Sequence, residues 1–297
     1  MFKSFNVVAV VLSLVVAYLR QPIHTDNSIS RQLDPKSPAF SGNVLLLTAH
    51  PDDECMFFAP TILALAALQQ TSTSRGPKSG LHSLCLSVGN ADGLGAVRKY
   101  ELESSLDVLG IDPDKRMIVD NPDLQDNFTA SWDAHTIATV LKPYILENRI
   151  NTILTFDHAG VSGHPNHRSL PEGVKQLMLS LKEVRLFTLI TAPPPIKYTG
   201  ILAPCQAKLD LHLSDLLHFL EDQLARLLAA LKVSITAAPK THAPPEVLPV
   251  FLSGIKQYWA AVQAMREHTS QLVWFRWLYI LFSRYMWVNE WMEVKVA

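Results

Sequence analysis

From Asn43 onward, short apolar runs alternate with longer amphipathic stretches. The runs at 44–48, 81–88, 116–119, 151–156 and 186–190 are mostly apolar and too short for helices. That is the pattern of strands buried on both faces of a parallel sheet. Between them the spacing predicts helices over 61–70, with Pro60 in the first turn, and over 97–109, closed by Gly110. Further helices are expected over 132–147, interrupted around Lys142-Pro143, and over 170–182. Repeated β-loop-α units predict an α/β fold over 43–195, a Rossmann-like, mostly parallel sheet flanked by helices.

Beyond Pro193-Pro194-Pro195 the pattern changes. Residues 209–231 are leucine-rich at helical spacing, 237–249 form a proline-rich loop, and 257–293 hold five of the six tryptophans. Arg276 and Arg284 interrupt that last apolar run, so it does not read as a lone transmembrane helix. Residues 196–297 are therefore expected to be a helical, aromatic-rich extension, packed on the core or lying at a membrane interface. At the other end, 6–19 is apolar and uncharged between Lys3 and Arg20, shorter than the ~20 residues of a full span. With no small-x-small pattern before Arg20, 1–20 reads as a retained membrane anchor rather than a cleaved signal peptide. Residues 21–42, with Pro22, Pro35 and Pro38, read as a linker. Arg20, Arg31 and Lys36 follow the run and only Lys3 precedes it, which places the remainder on the cytosolic side.

Composition narrows the class. Lys and Arg total 26 against 27 acidic residues, a balance that gives no basic footprint for nucleic acid. Cys55, Cys85 and Cys205 are scattered and odd in number, unlike a disulfide framework, and fit a reducing compartment as core residues.

The chemistry gathers where two strands end. The run at 44–48 stops at His50-Pro51-Asp52-Asp53-Glu54, and the run at 151–156 empties into a segment holding His164-Pro165-Asn166-His167. Adjacent carboxylates repel unless a cation or solvent offsets them. Parallel neighbouring strands bring both clusters to one sheet edge. Two histidines with one carboxylate form the ligand set of a catalytic zinc, leaving Asp52 free to act as a base. A solvated acidic turn capping the next helix is the alternative. The His-x-Asp spacing of His50 and Asp52 also occurs in non-haem iron sites, but alternating strands and helices do not suit that scaffold. Gly93-Leu94-Gly95 lacks the third glycine of a dinucleotide loop, with Arg98 in its place.

Three segments carry a family resemblance. They are Ala49-His50-Pro51-Asp52-Asp53-Glu54, then Gly89-Asn90-Ala91-Asp92-Gly93-Leu94-Gly95 with Arg98 and Glu101-Leu102, then Gly163-His164-Pro165-Asn166-His167. In this order they resemble the motifs of the PIG-L/LmbE-like zinc de-N-acetylases, over roughly 43–195. The stretches 270–276 and 282–286 resemble the eukaryotic branch of that family. That branch acts on N-acetylglucosaminyl-phosphatidylinositol in the second step of glycosylphosphatidylinositol-anchor synthesis. The resemblance implies one Zn2+ held by His50, Asp53 and His167. It implies Asp52 as general base, a protonated His164 donating to the oxyanion, and Arg98 as the contact to the substrate's polar head. It further implies a glycolipid substrate at the endoplasmic reticulum membrane, with the catalytic part facing the cytosol. A soluble N-acetylglucosaminide is the alternative substrate, and a metal-free regulatory protein the alternative outside enzymes.

Overall fold

The computed structural model describes residues 42–71, 80–210 and 249–295, with 220, 223 and 226. The five runs read as strands form β1 (Asn43–Thr48), β2 (Leu81–Cys85), β3 (Arg116–Ile118), β4 (Ile150–Phe156) and β5 (Arg185–Leu189). They pair in parallel in the order β3-β2-β1-β4-β5. Leu45, Leu47, Ile153 and Phe156 are fully buried, as unbroken apolar strands require when helices cover both faces. Helices α1 (Asp53–Phe57) and α2 (Ala59–Thr71) follow β1, and α3 (Gly95–Leu109) ends at left-handed Gly110 with φ 80°. Helix α4 (Ala134–Glu147) runs through Pro143 without a break and packs on α5 (Pro165–Met178), which lies against β4. The strand order changes direction between β1 and β4, the switch point outside which open α/β sheets bind their ligands.

The C-terminal part departs from expectation. Residues 196–297 are not a purely helical extension: β7 (Val288–Val294) pairs antiparallel with β5, and β6 (Val250–Leu252) with β7. The strand signal is the alternation of buried Trp291 with exposed Met292, hidden in the sequence by the density of aromatic residues around it. Helices α6 (Ile255–Glu267) and α7 (Trp274–Phe282) also lie in this part. The tryptophans divide accordingly. Trp287 and Trp291 are core, with Trp291 stacked on Phe58 and its Nε1 donating to Thr61 Oγ1 at 2.9 Å. Trp259, Trp274 and Trp277 are exposed.

The anchor expected over 1–20, nearly all of the linker over 21–42 and most of the helix over 209–231 lie outside the described residues. Among the described residues no helix is long and apolar enough to cross a membrane.

Candidate metal centre

β1 and β4 are neighbours, so the turns leaving their carboxyl ends meet. After β1 the chain passes through Asp52 at φ 97°, a left-handed conformation that strains a residue with a side chain. Hydrogen bonds over-determine the turn. The Ala49 and His50 N–H groups donate to Asp53 Oδ2 at 3.0 and 2.9 Å, and the Asp52 N–H donates to Glu54 Oε2 at 3.1 Å. After β4, Gly160 has φ 62°, and a Cβ there would lie 2.8 Å from the His167 Cβ. Only glycine leaves room for that histidine. Pro165 opens α5, and His164 caps it, its Nδ1 accepting from Asn166 N–H at 3.2 Å.

His50, Asp53 and His167 converge. His167 Nε2 lies 3.3 Å from His50 Nδ1 and 3.1 Å from Asp53 Oδ1, and His50 Nδ1 lies 4.0 Å from Asp53 Oδ2. A tetrahedral zinc with bonds of ~2.0–2.1 Å sets its donors roughly 3.3 Å apart. The outer nitrogens fix the tautomers. His50 Nε2 donates to Asn166 Oδ1 at 3.0 Å and lies 3.3 Å from Asp126 Oδ1, while His167 Nδ1 donates to the Gly160 carbonyl at 3.1 Å. Two imidazole lone pairs and a carboxylate thus face one point, a donor set that fits a divalent cation. Burial lowers the His50 pKa; it would lower that of His167 too, but Asp53 prevails and holds His167 above its ordinary value. Asp53 stays below the usual carboxylate range despite burial, because His167, His50 and a backbone N–H stabilise its charge.

Asp52, His164 and Arg98 join these donors in lining a cavity of about 460 Å³. Burial pushes the Asp52 pKa up to about 6 against the Arg276 guanidinium, whose Nη2 lies 2.7 Å from Oδ2. His164 departs from expectation. Burial, then the charges of His50 and His167, push it down to about 4, so it is neutral at pH 7. With Nδ1 accepting from Asn166, its proton sits on Nε2, 3.8 Å from Asp126 Oδ1. Its nitrogen also lies within 4.8 Å of those of His50 and His167, so the site offers a third imidazole. Arg98 is buried and does not pair with Glu101. Its Nη1 donates to the Gly89 carbonyl at 2.5 Å and its Nη2 to Asp92 at 2.6 Å.

Several contributors were not legible in the sequence. Asp126, on the loop carrying the sequon Asn127-Phe128-Thr129, faces His50, Arg98 and His164. Asn166 clamps that loop, accepting from Asn127 N–H at 3.1 Å and donating to the Ala130 carbonyl at 2.9 Å. From the C-terminal part, His268 Nε2 meets Glu54 Oε1 at 2.7 Å with both side chains fully buried, and Gln271 Nε2 donates to the Pro51 carbonyl at 2.8 Å. Glu54, Cys55 and His268 form a second donor cluster. Its atoms nearest one another are already engaged, His268 Nε2 on Glu54 Oε1 at 2.7 Å and Cys55 Sγ donating to the Asp52 carbonyl at 3.2 Å.

A family model described as PIG-L, GlcNAc-PI de-N-acetylase, matches residues 45–178. The N-acetylglucosaminyl-phosphatidylinositol de-N-acetylase of Bos taurus is 38% identical over 253 residues, covering 85% of this chain and 84% of that one. The chain belongs to the PIG-L family. A further PIG-L relative, a probable N-acetylglucosaminyl-phosphatidylinositol de-N-acetylase of Schizosaccharomyces pombe, is 34% identical over 245 residues, 82% of this chain and 84% of that one. A crystal structure of a teicoplanin deacetylase in its zinc-inhibited form shares the fold, with a TM-score of 0.51 at 11% identity over 86% of this chain and 100% of that one. His50, Asp52, Asp53, Arg98, His164 and His167 all lie within the PIG-L match, whereas His268, Gln271 and Arg276 reach the same turn from outside it.

Proposed function

We propose that this PIG-L protein hydrolyses the acetamide of N-acetylglucosaminyl-phosphatidylinositol, releasing acetate and the free amine. The observation that carries the reading is the convergence of His50 Nδ1, Asp53 and His167 Nε2 on one point beside Asp52. The names of its two relatives support the substrate.

Those three side chains are the proposed zinc ligands, since His164 Nδ1 is engaged by Asn166. Bound there, zinc supplies Lewis acidity, which brings the pKa of a water toward ~7. Asp52 takes a proton from the water that attacks the acetamide carbon. As the carbon–nitrogen bond breaks, it returns one to the leaving amine. A pKa of about 6 suits both transfers at neutral pH. The His164 Nε2–H donates to the carbonyl oxygen as negative charge builds, a contribution of ~10²–10³ in rate for donors of this kind. Neutrality does not remove this role, because a neutral imidazole still donates. Arg98 receives the polar head. Its partner Asp92 is 68% exposed, so a substrate phosphate can take that place. The proposed setting is the cytosolic face of the endoplasmic reticulum membrane, held by the apolar run at 6–19.

Acetate release from N-acetylglucosaminyl-phosphatidylinositol tests the reading. It is expected with zinc and abolished by a chelator. A folded, zinc-loaded protein that releases no acetate from this lipid overturns it.

A further inference from the structure

Helix α7 leaves most of its apolar surface uncovered. Only Ile280 is buried, while Trp274 is 75% exposed, Leu281 57% and Leu278 49%. Its one charged residue, Arg276, turns inward to Asp52 and to Met56 Sδ at 2.9 Å. The outer face therefore carries no charge. The segment 200–202 widens it: a Cβ on Gly200 would come within 2.6 Å of the Leu281 carbonyl oxygen, and Ile201 and Leu202 beside it are 52% and 65% exposed. An uncharged patch of this kind marks an interaction surface.

Its position points to the occupant. Phe275 and Arg276 line the catalytic cavity, and the same two residues line an apolar groove of about 410 Å³ between α7 and Tyr198. We infer that α7 and the 200–202 segment dock on a phospholipid bilayer, with the groove receiving the start of the substrate's acyl chains. The inference rests on the glycolipid reading in one respect. Only an inositol, a phosphodiester and a glycerol separate the sugar from the acyl chains, so a sugar in the cavity brings the cavity's rim to the bilayer surface. On its apolar side that rim is α7. Exposed tryptophan and phenylalanine beside aliphatic residues are the composition that settles at the lipid–water boundary. Apart from the tryptophan N–H groups, the helix face offers a protein partner little to recognise by charge or hydrogen bond; a lipid surface requires neither.

The six tryptophans make this measurable. Trp132, Trp287 and Trp291 are buried, and the apolar run at 6–19 contains none. Tryptophan quenching by acyl-chain bromines therefore reports on Trp259, Trp274 and Trp277 alone. Full-length protein in brominated phosphatidylcholine vesicles is expected to be quenched, with most of the effect lost in Trp274→Ser/Trp277→Ser and kept in Trp259→Ser. Unquenched wild type, or quenching that survives in the double variant, overturns docking through α7. So does a detergent-stable dimer abolished by the double variant, which assigns the face to a second copy of the chain. In the kinetic arm, the double variant is expected to lose ~10-fold or more on the lipid in vesicles, and about nothing on an analogue without acyl chains. Equal losses on both substrates overturn the inference. If the wild type hydrolyses neither substrate, the proposed function falls, and the quenching arm still decides the docking.

Discussion

His268→Ala probes how the C-terminal part supports the turn that follows β1. His268 Nε2 and Ser105 Oγ both reach Glu54 Oε1, at 2.7 and 2.5 Å, while Glu54 Oε2 accepts from the strained Asp52 N–H at 3.1 Å. Both members of the pair are fully buried. Removing the imidazole leaves a buried carboxylate without its cationic partner, a loss of ~3–5 kcal/mol. At ~2–4 °C per kcal/mol for a chain of this order, thermal unfolding is expected to fall by roughly 6–20 °C. His268→Gln keeps an N–H donor toward Glu54 and is expected to lose less. Adding Glu54→Gln to His268→Ala removes the stranded charge, so the double variant is expected to be more stable than the sum of the two losses predicts.

The effect also has a pH window. Burial would lower the His268 pKa, but Glu54 prevails and raises it above the ordinary 6.5. Its contribution is therefore full below 6.5 and fades as pH rises through the raised value. Burial would raise Glu54, but His268 and Ser105 hold it below its ordinary 4.5. That contribution is full above 4.5 and is lost as pH falls through the lowered value. The gap between wild type and His268→Ala is thus expected to be widest between about 4.5 and 6.5. Urea unfolding across pH measures it. A His268→Ala loss within ~0.5 kcal/mol, the range of a surface substitution, or a gap that does not vary with pH, refutes the reasoning.

Two further outcomes follow from the geometry. Arg276→Gln removes the positive charge 2.7 Å from Asp52, so the neutral carboxyl is favoured and the acid limb of kcat/KM moves up by ~1 pH unit or more; an unmoved limb contradicts the Asp52 assignment. Gly160→Ala places a methyl 2.8 Å from the His167 Cβ at φ 62°, costing ~1–3 kcal/mol of stability and weakening zinc binding in a metal titration; unchanged affinity shows that the turn does not aim His167.

The parallel half of the sheet was legible because each strand lies in a short, mostly apolar run bounded by polar or turn residues. Its two histidine segments fell together because the strands that carry them are neighbours. What was not legible depends on distant pairing. Glu54 and His268 are 214 positions apart, and a lone histidine after an amphipathic helix has no spacing to mark it. Asp126 sits in a loop with no period, and its role arises from three side chains that meet it only in the fold. Arg276 was read as a break in an apolar run, which it is, but the partner that explains it is Asp52. β7 was lost among aromatics whose alternation follows burial rather than polarity.

The two adjacent aspartates give the most direct test of a zinc hydrolase with a separate base. Asp53 faces His167 at 3.1 Å, whereas Asp52 is turned to Arg276 at 2.7 Å. The measurement is zinc stoichiometry beside the acetate-release rate for Asp52→Asn and Asp53→Asn. Asp52→Asn is expected to keep its zinc and lose ~10²–10⁴ in turnover, while Asp53→Asn is expected no longer to hold the ion. A metal-free Asp52→Asn beside a fully loaded Asp53→Asn contradicts these two roles.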